Sequence, residues 1–195
     1  MTYTKKIGLF FGSFNPVHTG HMIIAEYFRT QTELDEVWLV VSPQNPFKKS
    51  SNLARDHDRL ALVRAAIGDT PGLRASDVEF ALPKPSYTID TLTVLREKHP
   101  DYQFHLLMGG DNLPTLPRWK NSEILLRDYP IYVYHRPGEE LGPLADHPAV
   151  TVFDQAPLMQ LSATYIRNCL ATGKSVRYLV PDTVAEELER SRLYR

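Results

Sequence analysis

Residues 12–21, with the sequence GSFNPVHTGH, constrain the fold of this chain more than any other segment. They follow an apolar run at 7–11 that is typical of a buried strand, and a helical pattern begins at about residue 19. A glycine-rich turn between a strand and a helix forms an anion site, because free backbone N–H groups and the positive end of the helix dipole face one point. His18 and His21 can share one face of the first helical turn. The segment therefore predicts a phosphate-binding site.

Strand-like and helix-like patterns alternate from one end of the chain to the other. This alternation predicts an α/β fold, a Rossmann-like open parallel sheet with helices on both faces. Ligands of such folds bind beyond the carboxyl ends of the strands, so we expect the loops at 12–21, 43–52 and 109–120 to converge on one crevice. We expect one domain over residues 1–195, in which the closing helices at about 162–195 form a C-terminal part. Strands are predicted at about 6–11, 36–42, 77–80, 102–108, 130–135 and 150–153, and helices at about 19–30, 56–68, 87–98, 122–128, 162–171 and 182–192.

The composition argues against several classes of protein. With 43% hydrophobic and 23% charged residues the chain can bury a sizeable core, and its formal net charge of −1 provides no basic field for nucleic acid. No apolar run approaches the ~20 residues that a membrane-spanning helix needs, and residues 1–6 show no signal peptide. Cys169 is the only cysteine, which excludes an intrachain disulfide and favours a reducing compartment. We therefore expect a cytoplasmic protein that binds neither nucleic acid nor membranes.

The two histidines of the opening segment have two interpretations. They can cap the helix and face solvent, or they can point at a bound phosphate and donate hydrogen bonds to oxygens that gain charge in a transition state. Pro16 and Gly20 favour the second interpretation, because they fix the backbone and permit close approach. A metal site at His18 and His21 is less favoured, because no third ligand lies nearby in the sequence.

Four segments, in order along the chain, carry a resemblance to the nucleotidyltransferases that have the HxGH motif. Two segments match signatures of that whole superfamily, and two match elements of one member family, the bacterial nicotinate-nucleotide adenylyltransferases. Together they span nearly the whole chain. The superfamily segments are 12–21, which is similar to G-x-F-[DN]-P-x-H-x-G-H, and 161–167 (LSATYIR), which is similar to ISSTxIR. The segments of the member family are 86–92 (SYTIDTL) and 108–112 (MGGDN), and the second of these is followed by Arg118 and Trp119.

This resemblance implies a reaction and its substrates. The 5′-phosphate of nicotinate mononucleotide would attack the α-phosphorus of ATP, giving nicotinate adenine dinucleotide (deamido-NAD) and pyrophosphate in NAD biosynthesis. It implies Mg²⁺ bound with ATP, no tightly bound organic cofactor and no metal site of the protein's own. ATP and nicotinate mononucleotide are then the expected partners of a single nucleotidyltransferase domain, and monomer and homodimer both stay open.

The resemblance also assigns roles on the phosphate side. The family carries a P-P-H-K segment where this chain has NPFK at 45–48, so Lys48 matches the family lysine and Phe47 replaces the histidine. Near 162–167 the alternative is an N-capping serine with a solvent-facing arginine. The residues assigned to catalysis are His18, His21, Lys48 and Arg167, and those assigned to the ATP phosphates are Gly12, Ser13, Phe14, Ser162 and Thr164.

A second group of residues is assigned to the mononucleotide. Exposed N–H groups at the helix start near Thr88 and at the residue after Trp119 would bind the nicotinate carboxylate, with the Trp119 ring stacked on the pyridine. Asp111 would accept a hydrogen bond from a ribose hydroxyl. Helix capping at 86–88 and a tryptophan that only anchors its loop are the alternatives, and Arg136 is assigned only a structural role. The full set is Ser86, Tyr87, Thr88, Asp111, Trp119 and Lys120.

Other functions stay open at this point. The nearest is the same chemistry with nicotinamide mononucleotide as acceptor. Another HxGH nucleotidyltransferase, such as phosphopantetheine adenylyltransferase or an enzyme that uses a pyrimidine nucleotide, is disfavoured by SYTIDTL and by Trp119. A nucleotide-binding module without activity is disfavoured by the concentration of phosphate donors.

Overall fold

The computed structural model describes residues 4–44, 53–136 and 138–195. Within these ranges strands and helices alternate, and most elements begin and end within one residue of the predicted bounds. The strands are β1 (Lys5–Gly12), β2 (Glu36–Val41), β3 (Leu73–Ser76), β4 (Tyr102–Gly109), β5 (Ile131–Tyr134) and β6 (Val150–Phe153); the α-helices are α1 (Thr19–Gln31), α2 (Asp56–Ile67), α3 (Thr88–Lys98), α4 (Ser122–Asp128), α5 (Ala163–Ala171) and α6 (Asp182–Ser191); 3₁₀ helices cover Val78–Ala81, Gly110–Arg118 and Pro143–Asp146.

The six strands form one parallel sheet in the order β3-β2-β1-β4-β5-β6. The chain builds one half of the sheet outwards from β1 and then returns to the other side of β1 to build the second half. The order therefore switches between β1 and β4, and at such a switch the connections diverge and leave a crevice at the carboxyl ends of the strands. The predicted Rossmann-like parallel sheet is confirmed.

The central strands are buried on both faces, because successive side chains alternate between two apolar layers. On β1, Ile7 and Leu9 belong to one layer and Phe10 belongs to the other. The first layer also contains buried residues of α3 and α4, and the second contains those of α1, α2, α5 and α6. Helices thus cover both faces of the sheet, as predicted, and the closing helices share a core with the first two.

Two features of the helices bear on the sequence-based expectations. Cys169 on α5 lies in the second apolar layer and is buried. In the described ranges, no helix has both the length and the apolar character that a membrane crossing requires.

The predicted strand at 77–80 is wrong. Val78–Ala81 is a 3₁₀ helix, and the strand that pairs with β2 lies earlier, at Leu73–Ser76. Alternation of apolar residues with Glu79 imitates the period of a strand, but the Glu79 side chain is buried because hydroxyl groups near α3 hold it. The true strand is a short edge strand with a weak apolar pattern, so its sequence carries little signal.

Candidate active site

Gly12 and Phe14 shape the loop between β1 and α1. Phe14 has a φ of 43°, in the left-handed region, and its side chain is buried. A Cβ atom at Gly12 would lie 2.8 Å from the Phe14 ring, so the ring can fold back over the end of β1 only because Gly12 has no side chain. The loop that the sequence assigns to phosphate is therefore closed onto the sheet by its own aromatic residue.

His18 and His21 form a stacked pair at the start of α1. Their ring centroids are 3.6 Å apart, with an angle of 25° between the ring planes. The backbone N–H of His18 donates to Nδ1 of His21 over 3.2 Å, so in a neutral His21 ring the proton lies on Nε2. A Cβ atom at Gly20 would lie 3.2 Å from two atoms of the His18 ring, which explains the value of a glycine between the histidines.

The His18 side chain is buried and neutral. It occupies the N-cap position of α1, and burial, together with the charge of Arg136, lowers its pKa to about 4. Its Nδ1 atom is buried and makes no hydrogen bond to the described residues. An unsatisfied buried nitrogen costs roughly 1–3 kcal/mol. A ligand that supplies the missing partner would recover part of this free energy. The capping interpretation is realised, because His18 is the N-cap and the His21 ring accepts from its N–H, whereas the solvent-facing one does not apply to the buried His18 ring.

The N-terminus of α1 is partly occupied within the protein itself. The N–H of Thr19 donates to the carbonyl of Leu179 over 3.0 Å, and the Thr19 hydroxyl lies 3.5 Å from the carbonyl of Tyr178. The expectation that the first N–H groups of this helix are available to an anion is therefore wrong for Thr19. The segment before α6 instead fixes the helix start that carries the histidine pair.

Arg59 on α2 is a site residue that the sequence analysis missed. Its side chain is fully buried, and it pairs with Asp56 while donating to three carbonyl groups. Two of them follow β1 and β2, so one guanidinium joins the ends of two neighbouring strands. Asp56 and Arg59 have the spacing of an ordinary surface ion pair on a helix, which hides this role in the sequence. The carbonyl groups belong to Ser13, Ser42 and Ala54.

Arg167 on α5 reaches the opening loop from the other side. Its guanidinium donates to the carbonyl of Asn15 over 2.8 Å and to the hydroxyl of Thr164 over 3.1 Å. Ser162 is the N-cap of α5, and its hydroxyl accepts from the N–H of Tyr165. The capping alternative is therefore realised for Ser162, whereas Arg167 is directed at the loop rather than at solvent.

Asn15 joins the loop to distant parts of the chain, a role that its position in the motif does not reveal. Its side chain is buried, and Oδ1 accepts from the N–H of Ala54 over 3.1 Å and from the hydroxyl of Tyr194 over 2.7 Å. Burial raises the pKa of Tyr194, so this hydroxyl keeps the proton that it donates. With Arg167, these contacts connect the loop to the segment before α2, to α5 and to the chain after α6.

A cavity of about 340 Å³ lies at the carboxyl ends of β1 and β4. This volume is in the range of small-molecule sites. The structure brings together here the six residues that the sequence assigns to the mononucleotide, from segments that are far apart in the chain. Lys48 and Phe47, by contrast, lie outside the described residues. The six residues are Ser86, Tyr87, Thr88, Asp111, Trp119 and Lys120.

The start of α3 forms one wall of this cavity. The helix begins at Thr88, with Tyr87 at the N-cap position and no capping hydrogen bond from its side chain. Ser86 does not cap the helix, because its hydroxyl donates to the buried carboxyl group of Glu79 over 2.8 Å. The capping alternative is therefore not realised here. Thr88, the first residue of the helix, lines the cavity, and the N–H group at this position has no partner within the helix.

The opposite wall is the 3₁₀ helix Gly110–Arg118 and the two residues that follow it. Nε1 of Trp119 donates to the hydroxyl of Thr115 over 3.3 Å, which orients the indole. Nζ of Lys120 lies 2.8 Å from both carboxylate oxygens of Asp90 and 5.0 Å from the centroid of the Tyr87 ring. Lys120 therefore joins this wall to α3.

Phe10 lies between the cavity and the histidine pair. It lines the cavity, and its ring centroid is 6.1 Å from that of His21 and 6.2 Å from that of Tyr134. The Arg136 guanidinium lies 5.8 Å from the centroid of the Tyr134 ring, and its charge is felt by His18. Arg136, to which the sequence analysis gave only a structural role, thus places a positive charge at this junction.

Comparison with known proteins identifies the class. The cytidylyltransferase-like family model matches residues 9–169, a range that includes the opening loop, both cavity walls and Arg167. The chain thus belongs to the cytidylyltransferase-like nucleotidyltransferases.

The relatives of this chain narrow the class. A Cytophaga hutchinsonii protein, named as a probable nicotinate-nucleotide adenylyltransferase, is 54% identical over 189 residues, which are 97% of either chain. A Flavobacterium johnsoniae protein of the same name is 45% identical over 192 residues, 97% of this chain and 99% of its own. The chain belongs to the nicotinate-nucleotide adenylyltransferase family, as the sequence motifs implied.

A solved structure agrees with this fold. The Plasmodium falciparum nicotinic acid mononucleotide adenylyltransferase complexed with NaAD matches with a TM-score of 0.82 over 97% of either chain. Its sequence is 19% identical to this one, so the likeness concerns the fold.

Proposed function

We propose that this protein transfers the adenylyl group of ATP to nicotinate mononucleotide. A 5′-phosphate oxygen of the mononucleotide attacks the α-phosphorus of ATP and forms a new P–O bond. The bond between that phosphorus and the oxygen bridging to the β-phosphate breaks, and pyrophosphate leaves with the electron pair. The second product is nicotinate adenine dinucleotide (deamido-NAD), an intermediate of NAD biosynthesis. Membership of the family and the names of its members support this function.

The observation that carries the proposal is the position of Phe10. This residue lines the cavity and also contacts the ring of His21, so the cavity and the histidine pair adjoin. A mononucleotide whose pyridine ring lies between Thr88 and Trp119 can therefore extend its phosphate towards the end of β1. Transfer between two bound nucleotides needs this kind of adjacency, because holding the reactants together removes much of the entropic barrier.

The chemistry does not require a general base. A phosphate monoester has a second pKa of about 6 and is mostly ionised at neutral pH. The main obstacle is the mutual repulsion of two polyanions, so the site has to supply positive charge and hydrogen-bond donors. We assign the charge to Arg167 and Lys48, and the donors to Nε2–H of His21, to the neutral His18 ring and to backbone amides of residues 12–14. Ser162 caps its own helix, so Thr164 and the N–H groups of that turn are the ATP-side contacts that we retain there.

The mononucleotide roles rest on the two walls of the cavity. We assign the nicotinate carboxylate to the N–H groups at Thr88 and to the backbone of Lys120, with the Trp119 indole as a platform for the pyridine. Asp111 is exposed at the end of β4, where a ribose hydroxyl can donate to it. Tyr87 and Lys120 contribute the wall between these groups.

Mg²⁺ enters this proposal as part of the ATP substrate, where it offsets phosphate charge. The described residues contain no group of three or more His, Cys, Asp or Glu side chains that could hold a metal ion. We assign the ligands of the ion to phosphate oxygens and water, since Mg²⁺ commonly keeps several waters and binds substrate phosphates.

The test is to incubate the purified protein with ATP, Mg²⁺ and nicotinate mononucleotide and to follow pyrophosphate release and the dinucleotide. We expect both products in equal amounts, and competition with nicotinamide mononucleotide should show preference for the acid. Absence of product at high protein concentration would contradict the proposal. If nicotinamide mononucleotide is turned over faster than the acid, or if only phosphopantetheine is turned over, the acceptor is a different molecule but the adenylyl transfer from ATP stands.

A further inference from the structure

Glu79 is a buried acidic residue on the cavity wall to which neither the sequence analysis nor the reaction gives a role. Its side chain is 2% exposed and lies in the 3₁₀ helix Val78–Ala81. Each carboxyl oxygen accepts one hydrogen bond from a hydroxyl group: Oε2 from Ser86 and Oε1 from Thr91, both over 2.8 Å. The charge of a buried carboxylate is costly unless hydrogen bonds stabilise it. The presence of a buried carboxyl group on the cavity wall therefore needs a structural or functional explanation.

The two hydroxyl groups come from opposite sides of the first turn of α3. Ser86 precedes the helix, and Thr91 lies inside it, with Thr88 between them. One carboxyl group thus holds both ends of the turn that begins at Thr88, a residue of the cavity lining. Thr91 is fully buried, and its hydroxyl also lies 3.3 Å from the carbonyl of Tyr87, so it serves internal contacts rather than a ligand.

We propose that Glu79 is a positioning residue that fixes the first turn of α3 for recognition of the substrate carboxylate. This inference rests on the proposed function, in which the N–H groups of this turn bind the nicotinate carboxyl group. The geometry, rather than the charge, is the useful property, because a negative charge beside a substrate carboxylate opposes binding. Glu79 therefore sets the affinity for the acid mononucleotide and its preference over the amide, while it has no part in the transfer step.

The decisive variant is Thr91→Val, which removes one hydroxyl group without changing the shape of a residue that does not line the cavity. We expect KM for nicotinate mononucleotide to rise about fivefold to tenfold, the effect of losing roughly 1 kcal/mol of alignment. KM for ATP and kcat should stay within about twofold, because the phosphate side is untouched. The ratio of kcat/KM for the acid to that for the amide should fall by a similar factor.

The matched control is Thr93→Val on the same helix. The Thr93 hydroxyl donates to the carbonyl of Ile89 over 2.9 Å, as the Thr91 hydroxyl approaches that of Tyr87, but Thr93 is exposed and its hydroxyl is not one of the two that hold Glu79. This variant should keep the wild-type KM and the wild-type preference. If Thr91→Val and Thr93→Val behave alike, the positioning role is wrong.

Variants of Glu79 separate geometry from charge. Glu79→Gln keeps an acceptor and a donor of the same shape, and hydroxyl groups can turn to suit both, so it should stay close to the wild type. Glu79→Leu should show the full KM defect. Equal defects in both variants would mean that the charge itself matters and would overturn the proposal. If the wild-type protein does not use nicotinate mononucleotide, the proposed function is wrong. If the wild type uses it but Thr91→Val and Glu79→Leu have wild-type KM values, only this inference is wrong.

Discussion

The two halves of the candidate site are organised by buried side chains of opposite charge. On the phosphate side, the fully buried guanidinium of Arg59 donates to backbone carbonyls at the ends of two strands. On the mononucleotide side, the buried carboxyl group of Glu79 accepts from hydroxyl groups around one helical turn. A cation can hold carbonyl oxygens and an anion can hold hydroxyl hydrogens, so each half uses the charge that suits the groups it has to order.

The halves also differ in how far along the chain their contacts reach. Glu79 contacts residues 7 and 12 positions away, whereas Asn15 on the phosphate side is tied to residues 152 and 179 positions away. The mononucleotide wall is therefore mostly a local structure, and the phosphate loop depends on the closure of the whole fold. Disturbing the two halves should accordingly have different effects on stability and on substrate affinity.

Arg59→Met should have the largest effect. It leaves three carbonyl groups without their charged donor, while Asp56 keeps its second partner, Lys84. Hydrogen bonds to charged groups contribute about 1.5–3 kcal/mol each, so we expect a total cost of about 3–5 kcal/mol. We expect the free energy of unfolding in urea to fall by about this amount and activity to be lost. Arg64→Met, on the same helix, removes an exposed arginine whose ion pair with Asp77 spans 3.9 Å, and it should cost less than about 1 kcal/mol. Similar values for the two variants would show that Arg59 does not organise the loop.

His21→Ala should lower kcat by about 10²–10³, the usual effect of removing one donor to a charge that develops in the transition state. The nicotinate carboxylate is assigned to Thr88 and Lys120 rather than to His21, so KM for the mononucleotide should remain within about twofold of the wild type. Steady-state kinetics with both substrates measure the two effects. His147→Ala, outside the cavity lining, is the control; an unchanged kcat in His21→Ala would remove the catalytic role.

His105 on β4 lies outside both halves of the candidate site, so its protonation should affect the stability of the fold alone. It is buried, neither ring nitrogen makes a hydrogen bond to the described residues, and burial lowers its pKa to about 4. Glu33 raises this pKa and Lys6 lowers it, while the ring of Tyr132 packs at 5.0 Å.

The folded state keeps His105 neutral, whereas the unfolded chain takes up a proton below its ordinary pKa near 6.5. Stability should therefore fall as the pH drops from about 6.5 to about 4, by up to roughly 3 kcal/mol for this residue. His105→Leu should make the pH dependence of urea unfolding less steep between these values, leaving the parts due to His18 and to carboxyl groups whose pKa the fold lowers, such as those of Glu36 and Asp56. An equally steep dependence in the variant would contradict the assignment.

Tyr194→Phe should have the smallest effect. It removes the hydroxyl that donates to Asn15 and should cost about 1 kcal/mol of stability. If the phosphate side depends on long-range closure, KM for ATP should rise several-fold while KM for the mononucleotide stays unchanged. Tyr165→Phe, an exposed tyrosine on α5, is the matched control. A rise in KM for the mononucleotide in place of ATP would break the distinction between the two halves.

The same distinction explains how much the sequence could predict. The contiguous motifs at 12–21, 86–92, 108–112 and 161–167 indicate the family and the residues around the cavity, because each carries its pattern within a few positions. The alternation of strand-like and helix-like patterns predicts the sheet. The sequence does not predict the roles of Arg59 and Tyr194, because a guanidinium that joins two strand ends and a tyrosine that reaches Asn15 have no local sequence pattern. Glu79 was misplaced in a strand, because its apolar neighbours alternate while its carboxyl group is satisfied only by tertiary contacts.

Because Cys169 is buried, the rate at which the single thiol of this chain is labelled reports on the opening of α5. The residue lies two positions from Arg167, on the helix that holds the carbonyl of Asn15. A thiol reagent can modify it only when that helix separates from the sheet, so the rate of labelling in the native protein measures local opening. Ligands that bind to the phosphate side should slow the labelling of Cys169, whereas a mononucleotide alone should leave the labelling rate almost unchanged.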